Sequence, residues 1–206
     1  MLAIFELNNC ELIDYFNYKK RSFRFMNVEE LRQRYAAGER DFSIANLSEA
    51  VMEDINLSGI IFHGAILDGA NLQRANLSGA DLSGATLNGA NLAGANLSGA
   101  NLSDAILDCA ILEGAILDEA VLDQADLREA NLEQANLSKA DIREADLTGA
   151  NLEAADLSGA DLAIADLHEA NLSQAALERA NLTGTNLKDA NLEGTILEGG
   201  DSSLAT

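Results

Sequence analysis

From Phe42 to Leu197 every fifth residue is apolar: 28 leucines, with Phe42, Met52, Phe62 and Ile142, make 32 consecutive registers without an insertion. The residue two places before each is alanine in 27 cases, the exceptions being Arg40, Ile55, Ile60, Thr185 and Thr195. An α-helix turning about 100° per residue would rotate each successive leucine by about 140° and smear the apolar set around its circumference. A flat strand alternates faces, so an odd spacing would throw successive leucines to opposite sides. What remains is a chain that turns through the same angle every five residues and keeps each leucine, with its alanine, facing one shared axis. The pattern predicts a solenoid over residues 42–200.

Fourteen of the 16 glycines lie two residues after a central apolar position, from Gly59 to Gly199. Positive φ, or crowding by a neighbouring backbone, is easiest for glycine at such a corner. Proline is absent, as expected where every backbone N–H is needed for pairing between coils. The interior is expected to hold leucine and alanine, each leucine contributing roughly 1.5–3 kcal/mol against ordering entropy of similar total size. A core filled in this way has no room for substrate or cofactor, so no enzyme activity, catalytic residue or cofactor is assigned.

The A-(N/D)-L-x-x pattern resembles the pentapeptide-repeat family. That resemblance implies an all-β solenoid, a right-handed quadrilateral β-helix with four pentapeptides per coil and about eight coils. At an inter-strand spacing of about 4.8 Å the rod would be roughly 38 Å long. Residues 20 apart would stack in columns on one side, and residues five apart would lie on successive sides. The stretch NVEELRQRYAAGERDF is also similar to the opening of cyanobacterial members of the family, a group that includes a regulator of heterocyst differentiation. In such relatives the chain begins near the residue numbered Met26 here. Residues 1–26 are therefore read as an N-terminal extension, either disordered or produced by an upstream start. Its aromatic and basic stretch, Tyr15 to Phe25, would suit an anionic partner.

Asn27 and Glu30 form a capping-box pattern, followed by Leu31, Tyr35 and Ala36 at helical spacing and Gly38 as a stop. A helix is expected from about Val28 to Ala37, within a segment 27–41. Its apolar face, Val28, Leu31 and Tyr35, would cover the open end of the first coil, which otherwise exposes unpaired backbone and core to edge association. At the other end Thr185, Thr195 and Gly200 replace alanine, and residues 201–206 form a short polar tail with Leu204. A frayed last coil or weak end-to-end association is expected there, in an otherwise monomeric protein.

Charge is unevenly placed. Residues 1–41 carry seven Lys/Arg and seven Asp/Glu, whereas residues 42–206 carry 6 and 27, a difference of −21 that accounts for the whole net charge. Such a coat repels nucleic acid and anionic membrane, and neither is expected as a partner. No apolar run reaches 18 residues and no signal-peptide pattern opens the chain, so a cytoplasmic location is expected, in keeping with only two cysteines, Cys10 and Cys109. The column register stacks Asp126, Asp146 and Asp166, and likewise Glu113, Glu133 and Glu153. Flat ladders do not converge on a cation as an oxygen cage must, so no metal site is assigned. His63 and His168 are read as outward, on different sides and five coils apart, without a Ser, Cys or metal partner in a formed cleft.

The position before each central residue is normally Asn or Asp, yet Ile106, Ile111, Ile116 and Val121 hold it in four successive units, and Ile66 extends their ring along the Ile106 column. These five residues are a candidate partner-binding belt; β-branched residues packing on an extended backbone are the alternative account. The expected function is a non-enzymatic protein–protein interaction or regulatory scaffold with a rigid acidic surface. The family resemblance implies one alternative, a DNA-mimicking inhibitor or modulator of DNA gyrase or another topoisomerase. Against it, those inhibitors use a C-terminal dimerisation element or inserted loops, and here the repeat is uninterrupted.

Overall fold

The structure is a computed structural model and describes residues 26–197. The expected extension before Met26, the aromatic and basic stretch within it, and the tail with Gly200 and Leu204 lie outside the described residues. Within them the chain winds as a four-sided solenoid. Parallel bridges join each residue before a central apolar position to the residue 20 further on, from Asp41↔Ile61 to Asn171↔Asn191. Four five-residue units therefore complete one coil. The sides are named here by their first bridging residue: Asp41, Asn46, Val51 and Asn56.

Numbering each unit −2 to +2 about its central residue accounts for every backbone donor. The N–H at −1 donates to the coil before, as in Asn71 to Ala50 at 2.9 Å, and those at 0 and +2 donate to the coil after, as in Leu67 to Thr86 at 2.7 Å and Gly69 to Asn88 at 2.8 Å. The N–H at −2 closes the corner, as in Ala70 to Leu67 at 3.0 Å. The fifth donor, at +1, is met by the Asn or Asp side chain at −1, as in Ser78 N–H to Asn76 Oδ1 at 3.1 Å and Thr148 N–H to Asp146 Oδ1 at 3.0 Å. These Asx turns explain why Asn and Asp dominate the −1 position. They leave no backbone donor of a typical unit unpaired, the condition for burying such a backbone.

The +2 residue takes positive φ in every described unit, which with the closing bond matches a type II turn. The glycines predicted it, but 18 of these corner residues are not glycine. Ile44 (φ 54°) and Ile164 (φ 64°) are β-branched, the residue type for which this conformation costs most. Ile164→Gly is expected to raise stability by about 1 kcal/mol, read as a higher midpoint in chemical unfolding.

Central residues and their −2 alanines fill the axis. From Leu57 to Leu177 every central side chain is at most 1% exposed. The first coils use larger groups: Phe42 and Phe62 meet edge to face at 6.3 Å, and Ile55 and Ile60 stand in for alanine.

Among the described residues one helix, α1 (Val28–Ala36), precedes the solenoid. Asn27 Oδ1 accepts the Glu30 N–H at 2.7 Å, and Gly38 follows at φ 96°, a helix start and stop of the expected kind. Leu31 is fully buried, and Val28 and Tyr35 pack partly buried against the core. Tyr35 Oη donates to the Ser58 carbonyl at 2.8 Å, and the Met26 N–H donates to the Asn46 carbonyl at 3.0 Å. Arg34 lies 5.0 Å above the Phe42 ring and Arg40 3.9 Å above that of Tyr35, contacts that add cation–π attraction to the apolar seal.

The far end is open among the described residues. Asn191 makes the last bridge, and Leu182, Leu187 and Leu192 are partly exposed. Thr185 and Thr195 nevertheless hold the register, their hydroxyls donating to the Leu162 and Leu192 carbonyls at 2.8 and 2.7 Å. A threonine can replace alanine here because its one polar atom finds a backbone acceptor.

Candidate functional site

With a solid axis, chemistry is confined to the outer walls, where the −1 and +1 side chains stand in columns and the +2 side chains line the corners. Carboxylates dominate all four walls. Five of the six cations on the rod are drawn into ion pairs, among them Arg128 with Nη2 2.6 Å from Asp126, Arg143 with Nη2 2.6 Å from Asp141, and Lys139 with Nζ 3.0 Å from Glu119. Arg74 spans Glu53 and Asp54. The two Asp–Arg pairs occupy −1 and +1 of one unit, so a flat wall brings the guanidinium into bidentate register with the carboxylate.

Arg128 holds the Asp126 carboxyl below the usual range, chiefly through its side-chain hydrogen bond, and Arg143 does the same for Asp141. A depressed folded pKa contributes stability that is present above the unfolded value and is lost as pH falls through the folded one. A carboxyl titration followed by NMR is expected to place the Asp126 midpoint below 3.8, the ordinary value. In Arg128→Ala the midpoint is expected to rise, because the side-chain hydrogen bond and the charge that depress it are lost.

The expected columns form. Asp126, Asp146 and Asp166 are successive bridge partners on the Asn46 side, with Arg128 Nε 3.8 Å from Asp146. On the Val51 side an amide ladder runs beside the glutamates: Asn151 Nδ2 donates to Asn131, Asn171 to Asn151 and Asn191 to Asn171, at 3.0–3.1 Å. Glu153 accepts from Asn171 Nδ2 at 3.3 Å.

His63 has a serine neighbour, on the exposed wall and not in a cleft. Its Nδ1 lies 2.9 Å from Ser83 Oγ, 20 positions on, and Ser83 Oγ donates to Asp81 at 2.6 Å. The hydroxyl proton points at the carboxylate, so the ring nitrogen is the donor to the oxygen. That polarity is the reverse of a base activating a nucleophile. His168 Nδ1 meets the Lys188 carbonyl at 2.8 Å, far from His63. Local desolvation and the neighbouring Asp108 push the thiol of the exposed Cys109 above its ordinary value, which lowers its thiolate fraction.

The five belt residues are not brought together as one patch. Ile106, Ile111 and Ile116 are exposed by 37–40%, whereas Val121 and Ile66 are partly buried. The four ring members occupy four different sides, so no flat surface can touch all of them. Only Ile66 and Ile106 share a wall, with Thr86 bridging both.

An apolar −1 residue also removes the acceptor that serves the +1 N–H. Among the described residues no acceptor is paired with the N–H groups of Asp108, Glu113, Asp118 or Asp123. The residue at +1 compensates. Of nine units with an apolar −1 residue, eight carry Asp or Glu at +1, against three of the 22 with Asn or Asp at −1. Such an acid restores a carboxylate to the wall, as Asp68 shows by accepting the Asn88 N–H of the next coil at 2.9 Å. This covariation was open to sequence reading, but its meaning required knowing which side chain caps which amide.

The sequence profile of pentapeptide repeats matches residues 45–84, 80–124, 125–163 and 160–199, eight copies in all. The chain therefore belongs to the pentapeptide-repeat family, whose fold is the right-handed quadrilateral β-helix. Among solved structures it is similar to HetL, a pentapeptide repeat protein involved in heterocyst differentiation regulation from the cyanobacterium Nostoc sp. strain PCC 7120, at 33% identity over 84% of this chain and 96% of that one (TM-score 0.39). Trypsin-treated QnrB1, a plasmid-mediated fluoroquinolone resistance protein, shares the fold at 20% identity and TM-score 0.69, covering 76% of this chain and 86% of that one. A pentapeptide repeat protein of the Arabidopsis thaliana thylakoid lumen is 32% identical over 56% of this chain and 70% of that one (TM-score 0.37). Among curated protein sequences no match is found. No helix among the described residues is long and apolar enough to cross a membrane.

Proposed function

We propose that the protein is a non-enzymatic scaffold that presents a rigid acidic rod to another protein in the cytoplasm, with α1 and residues 27–41 as its cap. The observation that carries this reading is the division of labour along each unit. The axis is filled by leucine and alanine, and the backbone is spent on pairing between coils, which leaves the walls as the surface for recognition. Preorganised walls bind with little ordering cost. Similarity to HetL supports a regulatory role for that binding.

Ile111 and Ile116, exposed on adjacent sides and rimmed by Glu113 and Asp118, are the proposed contact. Exposed apolar groups within a charged surround favour a partner that supplies apolar cover and basic side chains. Ile111→Asn with Ile116→Asn is expected to weaken capture of partner from native cytosol. The same double variant should raise stability by about 0.5–1.5 kcal/mol per site, since each Asn restores the acceptor for the Glu113 or Asp118 N–H. Loss of capture in a more stable protein separates recognition from folding; undiminished capture removes the belt from consideration.

The wall charge favours a second reading, imitation of duplex DNA toward a topoisomerase. A gyrase supercoiling assay with purified protein separates the two, and no inhibition is the outcome expected of the scaffold.

A further inference from the structure

Charge along the rod changes in one step. Residues 82–103 are 22 in a row without a charged side chain, longer than the 20 of a full coil, and residues 104–127 carry seven acids and no base. Ile106, Ile111 and Ile116 stand exposed at this step, on three successive sides. The turn before them has glycine at all four corners, Gly84, Gly89, Gly94 and Gly99, so its edges are bare.

Each of these isoleucines also withholds a side-chain acceptor, so the amides of Asp108, Glu113 and Asp118 are paired with no described acceptor. Apolar cover alone would strand those donors away from water at their full desolvation cost, so whatever covers the isoleucines must bring acceptors of its own. Neighbouring walls meet at an angle. One surface can touch Ile111 and Ile116 together only if it is concave and bends round the corner at Gly114, where nothing lies within 4 Å of the place a Cβ would take. On the Asp41 side the ring is weaker, because Val121 is partly buried.

We infer that a partner protein clasps the rod at this level, with a concave apolar face that spans the Asn46, Val51 and Asn56 sides and leaves the Asp41 side open. Its floor covers Ile106, Ile111 and Ile116 and supplies carbonyl or carboxamide oxygens to the Asp108, Glu113 and Asp118 amides, in place of the missing Asx caps. Its edge toward α1 is uncharged, over residues 82–103, and its opposite edge is basic, over the acids of 104–127. That step in charge fixes which way round the rod is held. The inference rests on the reading that Ile111 and Ile116 contact a protein, and adds the shape and chemistry of that protein's site.

The test uses the full chain as bait in native cytosol and compares the bound complex with the free chain by amide hydrogen exchange resolved to single residues. In the free chain the Asp108, Glu113, Asp118 and Asp123 amides should exchange fast; in the complex the first three are expected to slow about tenfold or more while Asp123 stays fast. Gly114→Gln puts a side chain on the bridged corner in a conformation that Gln134 already adopts one rung on. It should lower capture at least about tenfold, the loss of one central contact, whereas Gly159→Gln, two coils further along, should not, with paired rod amides showing an intact fold in both. Uniform exchange of the four amides in the complex would overturn the clasp, as would undiminished capture by Gly114→Gln. If the parent captures no protein, or Ile111→Asn with Ile116→Asn captures as well as the parent, the underlying reading falls too; capture lost in that double variant and kept in Gly114→Gln removes the clasp alone. Retention of a second copy of this chain, or of nucleic acid, in place of another protein would also overturn it.

Discussion

Leu112→Ala is expected to lower stability by about 2–5 kcal/mol, the range for a fully buried leucine whose surroundings cannot collapse. Leu112 is 0% exposed and lies midway along the rod, with rungs on both sides tied by N–H bonds of 2.7–2.9 Å. A solenoid wall cannot close inward over one missing side chain without breaking those bonds. The paired substitution Leu192→Ala, in the partly exposed last coil, should cost less than half as much. Urea unfolding of both variants measures the contrast, and equal costs would contradict a uniformly solid axis. Because each coil contacts only its neighbours, a central lesion should also broaden the transition.

Leu31→Asp is expected to convert a monomer into a head-to-tail assembly. A carboxylate cannot occupy the apolar seat of Leu31 against the first coil without a large desolvation cost, so α1 should lift away. The two ends of the rod are not equivalent. The ladder described above leaves the last coil with two N–H groups per unit, at 0 and +2, and one carbonyl, at −2, facing outward. The first coil presents the complement, one N–H and two carbonyls per unit, of which Ser58 and Asn46 are met by Tyr35 and Met26. Tail-to-tail contact therefore sets donors against donors, whereas an uncapped head matches a tail. Light scattering should show a mass that climbs with concentration in the variant and stays constant in the parent. A variant that remains monomeric would show that another element guards the end.

Much of this was legible in advance because a five-residue period admits few geometries. The core positions and the start of α1 at Asn27 follow from apolar spacing and cap chemistry, both local properties, whereas the four-sided register came from the family resemblance. The corners were only half legible: glycine marked the positive φ, but Arg74, Cys109 and Ile164 take it too, because pairing on both neighbouring coils outweighs a local cost of about 1–2 kcal/mol. The belt was legible as a ring around one coil, one residue to a side; only the structure shows that Ile106, Ile111 and Ile116 stand exposed while Val121 and Ile66 are partly buried. His63 with Ser83, and Asp68 with Asn88, were invisible as pairs until positions 20 apart were placed on one rung.

The sequence alone therefore determines the axis: what fills it, how often the chain turns, and that −21 charges must stand outside. Those depend on side-chain size and period, which every unit states for itself. Tertiary structure decides who stands beside whom on the walls, which amides the −1 side chains cap, and which end of the rod is rich in donors. These are relations between coils, and hydrogen bonding across a 20-residue separation sets them only once the turns have closed.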